Sequence, residues 1–327
     1  METAGGLILF LVGFATLAGI ASVSTLGLNI CWGVTGLFNI GIAGFYAVGA
    51  YTSAILTAEP SVPSNPHLGG YELPIPVGWA GAMVISAAIA WIVGKVCLRL
   101  RADYLAIATI GIAEIIRITF RNWGALAGGS YGIHRIPKPF ESLPQPWAEI
   151  FFLILVLAVV VVIYWVIERG INSPWGRVMR AIRENELAAA AAGKDVERMR
   201  LQAFVYGSAL MGLAGALSAH YLKQFLPEDT EPLTATFLIW VMLIAGGSGN
   251  NKGAILGAFV VWGLWTMSEF LTDLLSAEWA TRAAYIRVFL IGLLLQVVLQ
   301  FFSRGIIPEK APVIPRGESN AAKAEAG

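Results

Sequence analysis

An apolar run of about 18 residues or more can cross a hydrocarbon core as a helix. Runs of about that length fill most of this sequence: Leu7–Leu28, Ile40–Leu56, Pro76–Val96, Tyr104–Phe120, Ile150–Ile167, Leu201–Leu222, Ala254–Leu271 and Tyr285–Phe302, with a shorter one at Thr234–Ala245. They are too long and too evenly apolar for membrane-barrel strands, which alternate in and out over about ten residues. Composition agrees, because 57% of the side chains are hydrophobic and only 13% are charged, about half the charge of a soluble domain. With a mean hydropathy of +0.70, too few polar groups remain to coat a water-soluble globule. The expected fold is an all-α integral membrane protein, a polytopic helical bundle of about 8–10 transmembrane helices with broken or re-entrant segments.

The net charge of +1 excludes recognition of nucleic acid through bulk charge, which needs a concentrated basic surface. Cys31 and Cys97 sit in or beside apolar runs, which argues against a disulfide framework or a thiolate metal site. His67, His134 and His220 are scattered, so a histidine metal site would have to be assembled from distant segments. The flank Met1–Gly6 carries one Glu and no Lys or Arg. It lacks the basic n-region of a signal peptide, and the first run is expected to stay.

Orientation follows from Lys and Arg in short loops, which are retained on the cytoplasmic side. Segment 168–200 holds Arg169, Arg177, Arg180, Arg183, Lys194, Arg198 and Arg200, and the turn after the third run adds Lys95, Arg99 and Arg101. Glu59–Leu73 has no Lys or Arg, and Lys223–Pro232 is mostly acidic. Counting all nine runs as spans then puts the N-terminus outside and the polar C-terminal tail, 304–327, inside. The membrane domain is 1–303, with the 168–200 segment inserted on its cytoplasmic side. Arg121–Glu149 fits badly: parity places it outside, yet it carries Arg121, Arg135 and Lys138, an objection that its length and the neighbouring Glu141 and Glu149 weaken without removing.

Two stretches interrupt the apolar pattern. Asn29–Gly44 and Gly246–Gly253 mix Gly and Asn with Ser or Thr, which a lipid-facing helix avoids because freed backbone groups need partners. Each holds an Asn-x-Gly before an apolar run, Asn39–Gly41 and Asn251–Gly253, as corresponding halves of a transporter would; ordinary Gly-rich turns are the plainer reading. Gly246–Gly253 is not a phosphate loop, since Asn251 and Gly253 stand where the second Gly and the hydroxyl are required. Gly249, Gly253 and Gly257, and likewise Ser208, Gly212 and Ala216, have the spacing of small-residue helix-packing faces.

The residues Asn172–Gly193 read as one short, partly polar helix between two spans, with a run of alanines ending at Gly193. A smooth alanine face suits insertion into a groove of another protein better than it suits a solvated linker. Glu114 and Arg117 lie at i and i+3 inside an apolar run. They are either an internal ion pair along one helix face or a polar element near a pathway. His220 and Lys223 fall near the outer end of their span, where snorkelling explains them.

Several collinear stretches are similar to the LivM-type permeases of branched-chain amino acid ABC importers. They are Gly36–Thr52, Leu98–Arg117, Gly128–Ile133, Ser173–Val196 and Trp240–Gly257, and together they cover nearly the whole chain. The resemblance implies that Ser173–Val196 is the coupling region that docks on a separate ATPase subunit, through Arg180, Arg183, Glu184, Asn185, Glu186, Ala189 and Gly193. It implies two membrane subunits, two cytoplasmic ATP-binding subunits and a periplasmic or extracellular solute-binding protein, in the bacterial cytoplasmic membrane. No cofactor is expected on this chain; ATP and Mg belong to the partners. For the pathway, Asn39, Gly41, Gly44 and Tyr46 are candidates because a broken helix N-terminus there could face a substrate carboxylate, with Glu114 and Arg117 as further candidates. Relatives handling urea or other small solutes share much of the pattern. The competing readings are a stand-alone secondary carrier, for which Glu114 would be the coupling group, and a membrane enzyme, for which no catalytic constellation is visible.

Overall fold

The computed structural model describes residues 2–60, 66–273 and 305–309, with positions 289, 292–293, 296–297 and 300. Apart from those isolated positions, the Tyr285–Phe302 run lies outside the described residues, as does the tail beyond residue 309. The helices are α1 (Glu2–Leu28), α2 (Ile42–Thr57), α3 (Ile75–Cys97), α4 (Ala102–Asn122), α5 (Gly124–Ala127), α6 (Trp147–Ile171), α7 (Pro174–Glu184), α8 (Glu186–Ala191), α9 (Val196–Leu222), α10 (Leu238–Gly246) and α11 (Asn251–Asp273). A two-residue antiparallel ribbon, β1 (Ile133–His134) with β2 (Gln224–Phe225), pairs Ile133 with Phe225.

Among the described residues four helical stretches are long and apolar enough to span a membrane: Gly5–Val34, Ile75–Cys97, Trp147–Ile171 and Val196–Leu222. Hydroxyls inside the first bond back to the preceding turn, Thr16 to the Val12 carbonyl and Ser22 to that of Ala18, each at 2.8 Å, while the buried Ser24 hydroxyl has no hydrogen-bond partner. Two of the expected spans are shorter. α2 has 16 residues and α10 has 9, lengths of roughly 24 and 14 Å at 1.5 Å per residue against a core of about 30 Å. Irregular backbone makes up the difference. A π-helical turn, Asn29–Val34, and a non-helical stretch at 35–41 precede α2, while a 3-10 turn, Pro227–Thr230, and a π-helical turn, Leu233–Phe237, lead into α10. The expectation of broken segments holds, and the count of nine equal spans gives way to long helices interleaved with short ones.

Ion pairs fix two ends of the bundle. Arg99 meets Glu197 at 3.3 Å, which places the turn between α3 and α4 beside the start of α9, at what we term the Arg-rich end. At the opposite end Arg135 meets Glu59 at 3.6 Å and Lys223 meets Glu141 at 2.5 Å. The basic residues that fit badly in Arg121–Glu149 are accounted for here. The Lys138 ammonium is 2.7 Å from both Glu149 oxygens, is 8% exposed and lies over the Tyr221 ring, so its charge is neutralised where it sits. His220 does not snorkel. It is fully buried, its Nδ1–H donating to the Pro137 carbonyl at 2.6 Å and its Nε2 accepting from Ser53 Oγ at 2.8 Å, and it ties α2 and α9 to the loop between α5 and α6.

α9 is the centre of the bundle, with 72% of its apolar window buried against 28% for α3 and for α6. Small residues permit this. A Cβ on Gly49 would overlap the Gly212 carbonyl and one on Gly215 the Tyr46 carbonyl, while one on Gly27 would lie 2.6 Å from the Gly207 carbonyl. The Ser208-Gly212-Ala216 face is therefore a packing face, as its spacing predicts. On α11 the face is Gly253 and Gly257 against Gly246. Gly249 is not part of it, because it sits in the preceding turn at φ +84°. A crevice of ≈ 900 Å³ opens among α3, α6 and α9, lined by residues such as Met83, Val159, Ile163, Tyr206 and Leu210 with no charged side chain. Its lining is predominantly apolar.

Gly49→Val is expected to cost about 1–3 kcal/mol by forcing α2 from α9, and to lower the thermal unfolding midpoint of the detergent-solubilised protein. Gly111 on α4 has nothing within 4 Å of an added Cβ. Gly111→Ala should instead leave the midpoint unchanged or raise it, by up to about 1 kcal/mol of helix propensity.

Candidate functional site

The Arg-rich end carries two short helices, not the single one expected over Asn172–Gly193. Ser173 starts α7, its Oγ accepting from the Trp175 amide at 3.2 Å, and Pro174 fills the first helical position. Asn185 then leaves helical geometry (φ −156°, ψ 101°), and its Oδ1 accepts from the Ala188 amide at 3.0 Å, capping α8. The break has a local cause: Asn competes for nearby amides better than it continues a helix. α8 ends as expected, with Gly193 at φ +76°, its amide on the Ala190 carbonyl at 2.9 Å and that of Lys194 on Ala189 at 3.1 Å, a left-handed C-terminal cap.

The residues of this segment divide by direction. Met179, Ile182 and Ala189 are buried against the bundle. Arg180 donates to the Ile171 carbonyl at 3.3 Å, and Arg183 also turns inward, its side chain 22% exposed. Glu184 and the alanines Ala188, Ala190 and Ala191 are exposed, and Leu187 is 83% exposed. Glu186 is held by Arg200 at 3.0 Å. The outward surface is thus an apolar knob between carboxylates, while the arginines anchor it from below.

Behind α7 lies the first interruption. Asn29 is fully buried in the π-helical turn, its Oδ1 accepting from the Gly249 amide at 2.8 Å and its Nδ2 donating to Asn251 Oδ1 at 2.9 Å. Asn251 in turn donates to Glu168 Oε2 at 2.8 Å. The interruptions of the two halves therefore bond to each other directly. The expected equivalence of Asn39 and Asn251 fails in detail. Asn39 Oδ1 caps α2 from the Gly41 amide at 2.9 Å, but on α11 that work falls to Asn250, which accepts from Lys252 at 3.0 Å.

Further along, Asn39 lies beneath the rings of Phe38 and Trp240, whose centroids are 4.9 Å apart, and its carbonyl accepts from the Trp240 indole at 3.2 Å. The amides that open α2 are engaged: Ile40 donates to Thr109 Oγ1 and Ala43 to Thr236 Oγ1, each at 3.1 Å. Gly41 and Gly44 let α2 cross α4 closely, a Cβ on either lying 2.8 Å from Thr109 O or Ala113 Cα respectively. Asn39, Gly41 and Gly44 thus meet at one crossing, and Tyr46 does not join them; its ring is half-buried, 6.1 Å from Phe225. Glu114 and Arg117 form the expected pair, Nε to Oε2 at 2.8 Å, on the half-exposed α4. Among the described residues no group of three or more His, Cys, Asp or Glu could hold a metal.

The sequence did not single out Asn29, Glu168 or Glu309 individually, and Asn251 only as part of an Asn-x-Gly and as a departure from a phosphate loop. Asn29 and Asn251 carried a signal, being amides inside the interruptions; Glu309 carried none. It reaches the site because residues 305–309 run along the end of α10, with the Ile306 and Ile307 amides on the Ala245 and Gly246 carbonyls at 2.9 Å.

A helical membrane bundle with broken helices and an exposed helical pair at its basic end defines a membrane transport subunit by architecture. The family described as the permease component of branched-chain amino acid transport systems matches residues 10–299, and the chain belongs to it. It is 35% identical over 274 residues to the high-affinity branched-chain amino acid transport system permease protein LivM of Escherichia coli K12, covering 76% of this chain and 61% of that protein. The chain thus spans about three fifths of the length of that relative. A probable LivM of Methanocaldococcus jannaschii is 28% identical over 285 residues (84% of this chain, 79% of the relative), and LivH of E. coli K12 is 24% identical over 260 (75% and 80%). No solved structure matches the chain.

Removing the α8 cap tests the local account. Asn185→Ala is expected to cost about 0.5–2 kcal/mol of local helix stability, seen as faster amide exchange confined to 186–192 with the global unfolding midpoint unmoved.

Proposed function

We propose that this chain is a membrane-spanning permease subunit of an ABC importer and forms part of the translocation path for branched-chain amino acids. ATP, with Mg, is bound and hydrolysed on separate cytoplasmic subunits. A second, homologous permease completes the path, and an external solute-binding protein delivers the substrate to the end bearing Glu59–Leu73 and Lys223–Pro232. The protein lies in a bacterial cytoplasmic membrane. Its Arg-rich end, and with it the C-terminal segment, faces the cytoplasm, because basic residues are retained on that side.

The observation that carries this reading is the exposed pair α7–α8. An apolar side chain 83% exposed, Leu187, flanked by alanines and by Glu184 and Glu186, is an anchor shaped for a groove in another protein. In this reading Glu184, Asn185 and Glu186 meet the ATPase subunit, Arg180, Arg183 and Ala189 fix the helices to the bundle, and Gly193 ends the surface. The crossing at Asn39, Gly41 and Gly44 is where the path is gated. Opening it would release the α2 amides from Thr109 and Thr236 toward a substrate carboxylate. Tyr46, Glu114 and Arg117 flank that route.

The test is ATP-dependent uptake of labelled leucine and of urea in proteoliposomes carrying the chain with its co-purifying subunits. Leucine uptake that needs ATP is expected. Leu187→Glu should cut both uptake and ATPase-subunit co-purification by about tenfold or more, as loss of a buried interface anchor does. Urea uptake in place of leucine would replace the substrate, and ion-driven uptake by the chain alone would overturn the ABC reading.

A further inference from the structure

Arg183 has the position of a docking residue and the contacts of something else. Its Nη1 donates to the carbonyl of Gly33 in the π-helical turn, and its Nη2 reaches Glu309 at 3.1 Å and Glu184 at 3.0 Å. Its stem lies on Gly36, where a Cβ would come within 3.1 Å of Arg183 Cγ and where φ is +74°. The neighbouring carbonyls of that turn have partners within the following residues: Thr35 Oγ1 on Ile30, the Leu37 amide on Cys31 and the Gly36 amide on Trp32. Gly33 is served from another element, by a cation placed at a helix C-terminus where the backbone dipoles favour it.

Glu309 closes the arrangement. Its carboxylate packs on Gly249, whose amide is bonded to Asn29 in the same π-helical turn. The segment that carries it caps α10 through Ile306 and Ile307. α7, the turn at Asn29–Val34, the turn after α10 and the segment 305–309 therefore form one ring, and Arg183 is the side chain that joins α7 to both sides of it. A guanidinium can do this because its donors fan out from a rigid plane; an ammonium presents one point of charge.

We propose that Arg183 is a positioning residue that ties the docking helices to the π-helical turn Asn29–Val34, so that displacement of α7–α8 is transmitted through residues 35–41 to the crossing at Asn39. Glu309 orients the guanidinium for that task. The proposal rests on the reading of α7–α8 as the ATPase-docking element. A π-helical turn inside an α-helix is a common functional distortion, and here it is the last helical turn before the break. A shift in its hydrogen-bond register moves the backbone leading into α2.

The experiment uses the full reconstituted complex with Arg183→Gln, Arg183→Lys and Glu309→Gln. It reads ATPase-subunit co-purification, ATP hydrolysis, leucine taken up per ATP hydrolysed, and amide exchange over 35–41 with and without a non-hydrolysable ATP analogue. All three variants are expected to hold the ATPase subunits at wild-type levels. Uptake per ATP should fall about tenfold or more in both Arg183 variants, as loss of a charged hydrogen bond predicts, and less in Glu309→Gln. The exchange response at 35–41 to the analogue should be lost, an effect that general destabilisation would not produce. Unchanged coupling in both Arg183 variants would overturn the proposal. So would loss of co-purification in Arg183→Gln with the fold intact, which would make Arg183 a contact residue. If an Arg183 variant fails to fold, Glu309→Gln decides, and unaltered coupling and exchange there would also overturn it. Wild-type chain that binds no ATPase subunit would instead refute the docking reading.

Discussion

Every backbone amide and carbonyl placed in hydrocarbon needs a partner inside the protein, and the rest of this structure follows from how the breaks in its helices meet that demand. At the first break the partners are side chains from other helices: Thr109 of α4 takes the Ile40 amide, Thr236 takes that of Ala43, and Arg183 takes the Gly33 carbonyl. At the second, residues 305–309 supply amides to the end of α10, and Asn29 accepts from Gly249. Each break is thereby tied to an element far away in sequence. Irregular backbone in a membrane protein is tolerated where protein surrounds it; the first break lies against α9, the most enclosed span, and the second is bonded to the first through Gly249 and Asn29.

The arrangement separates two mechanical roles. Around α9, glycines and small residues bring backbones together, so α1, α2 and α3 pack on it with no room for an added methyl at Gly49 or Gly215. Such contact is close-packed and gives little when pushed. The polar ring at the Arg-rich end is different in kind, because it is built from hydrogen bonds that can exchange partners. A close-packed centre with an exchangeable polar junction at one end is the construction the proposed transmission from α7–α8 to the Asn39 crossing would use.

Much of this was legible in the residues. The long apolar runs located α1, α3, α6 and α9, and the clustering of Gly with Asn marked both breaks. The alanine run and Gly193 marked the exposed α8 and its C-terminal end. What misled was local reading of residues whose partners are distant. His220 looked like a snorkelling residue because its position near a helix end was visible while Ser53 and Pro137 were not. The 172–193 segment looked like one helix because Asn185 is tolerated within helices, and its cap to Ala188 decided otherwise. Lys138 fitted badly because, although the sequence places Glu149 nearby, only the fold brings its carboxylate onto the Lys138 ammonium.

The sequence by itself determined the class of fold, the family, and the location of the breaks and of the short polar helical segment after α6, because hydropathy, motif and backbone propensity are properties of a stretch of chain. The tertiary structure decided which residues of those stretches act together. It turned Arg183 inward to Gly33 and Glu309, left Leu187 outward, and joined Asn29 to Asn251 and Glu168. These bonds link positions more than a hundred residues apart, or helices whose facing sides are set by packing around α9. No periodicity along the chain records such a pairing.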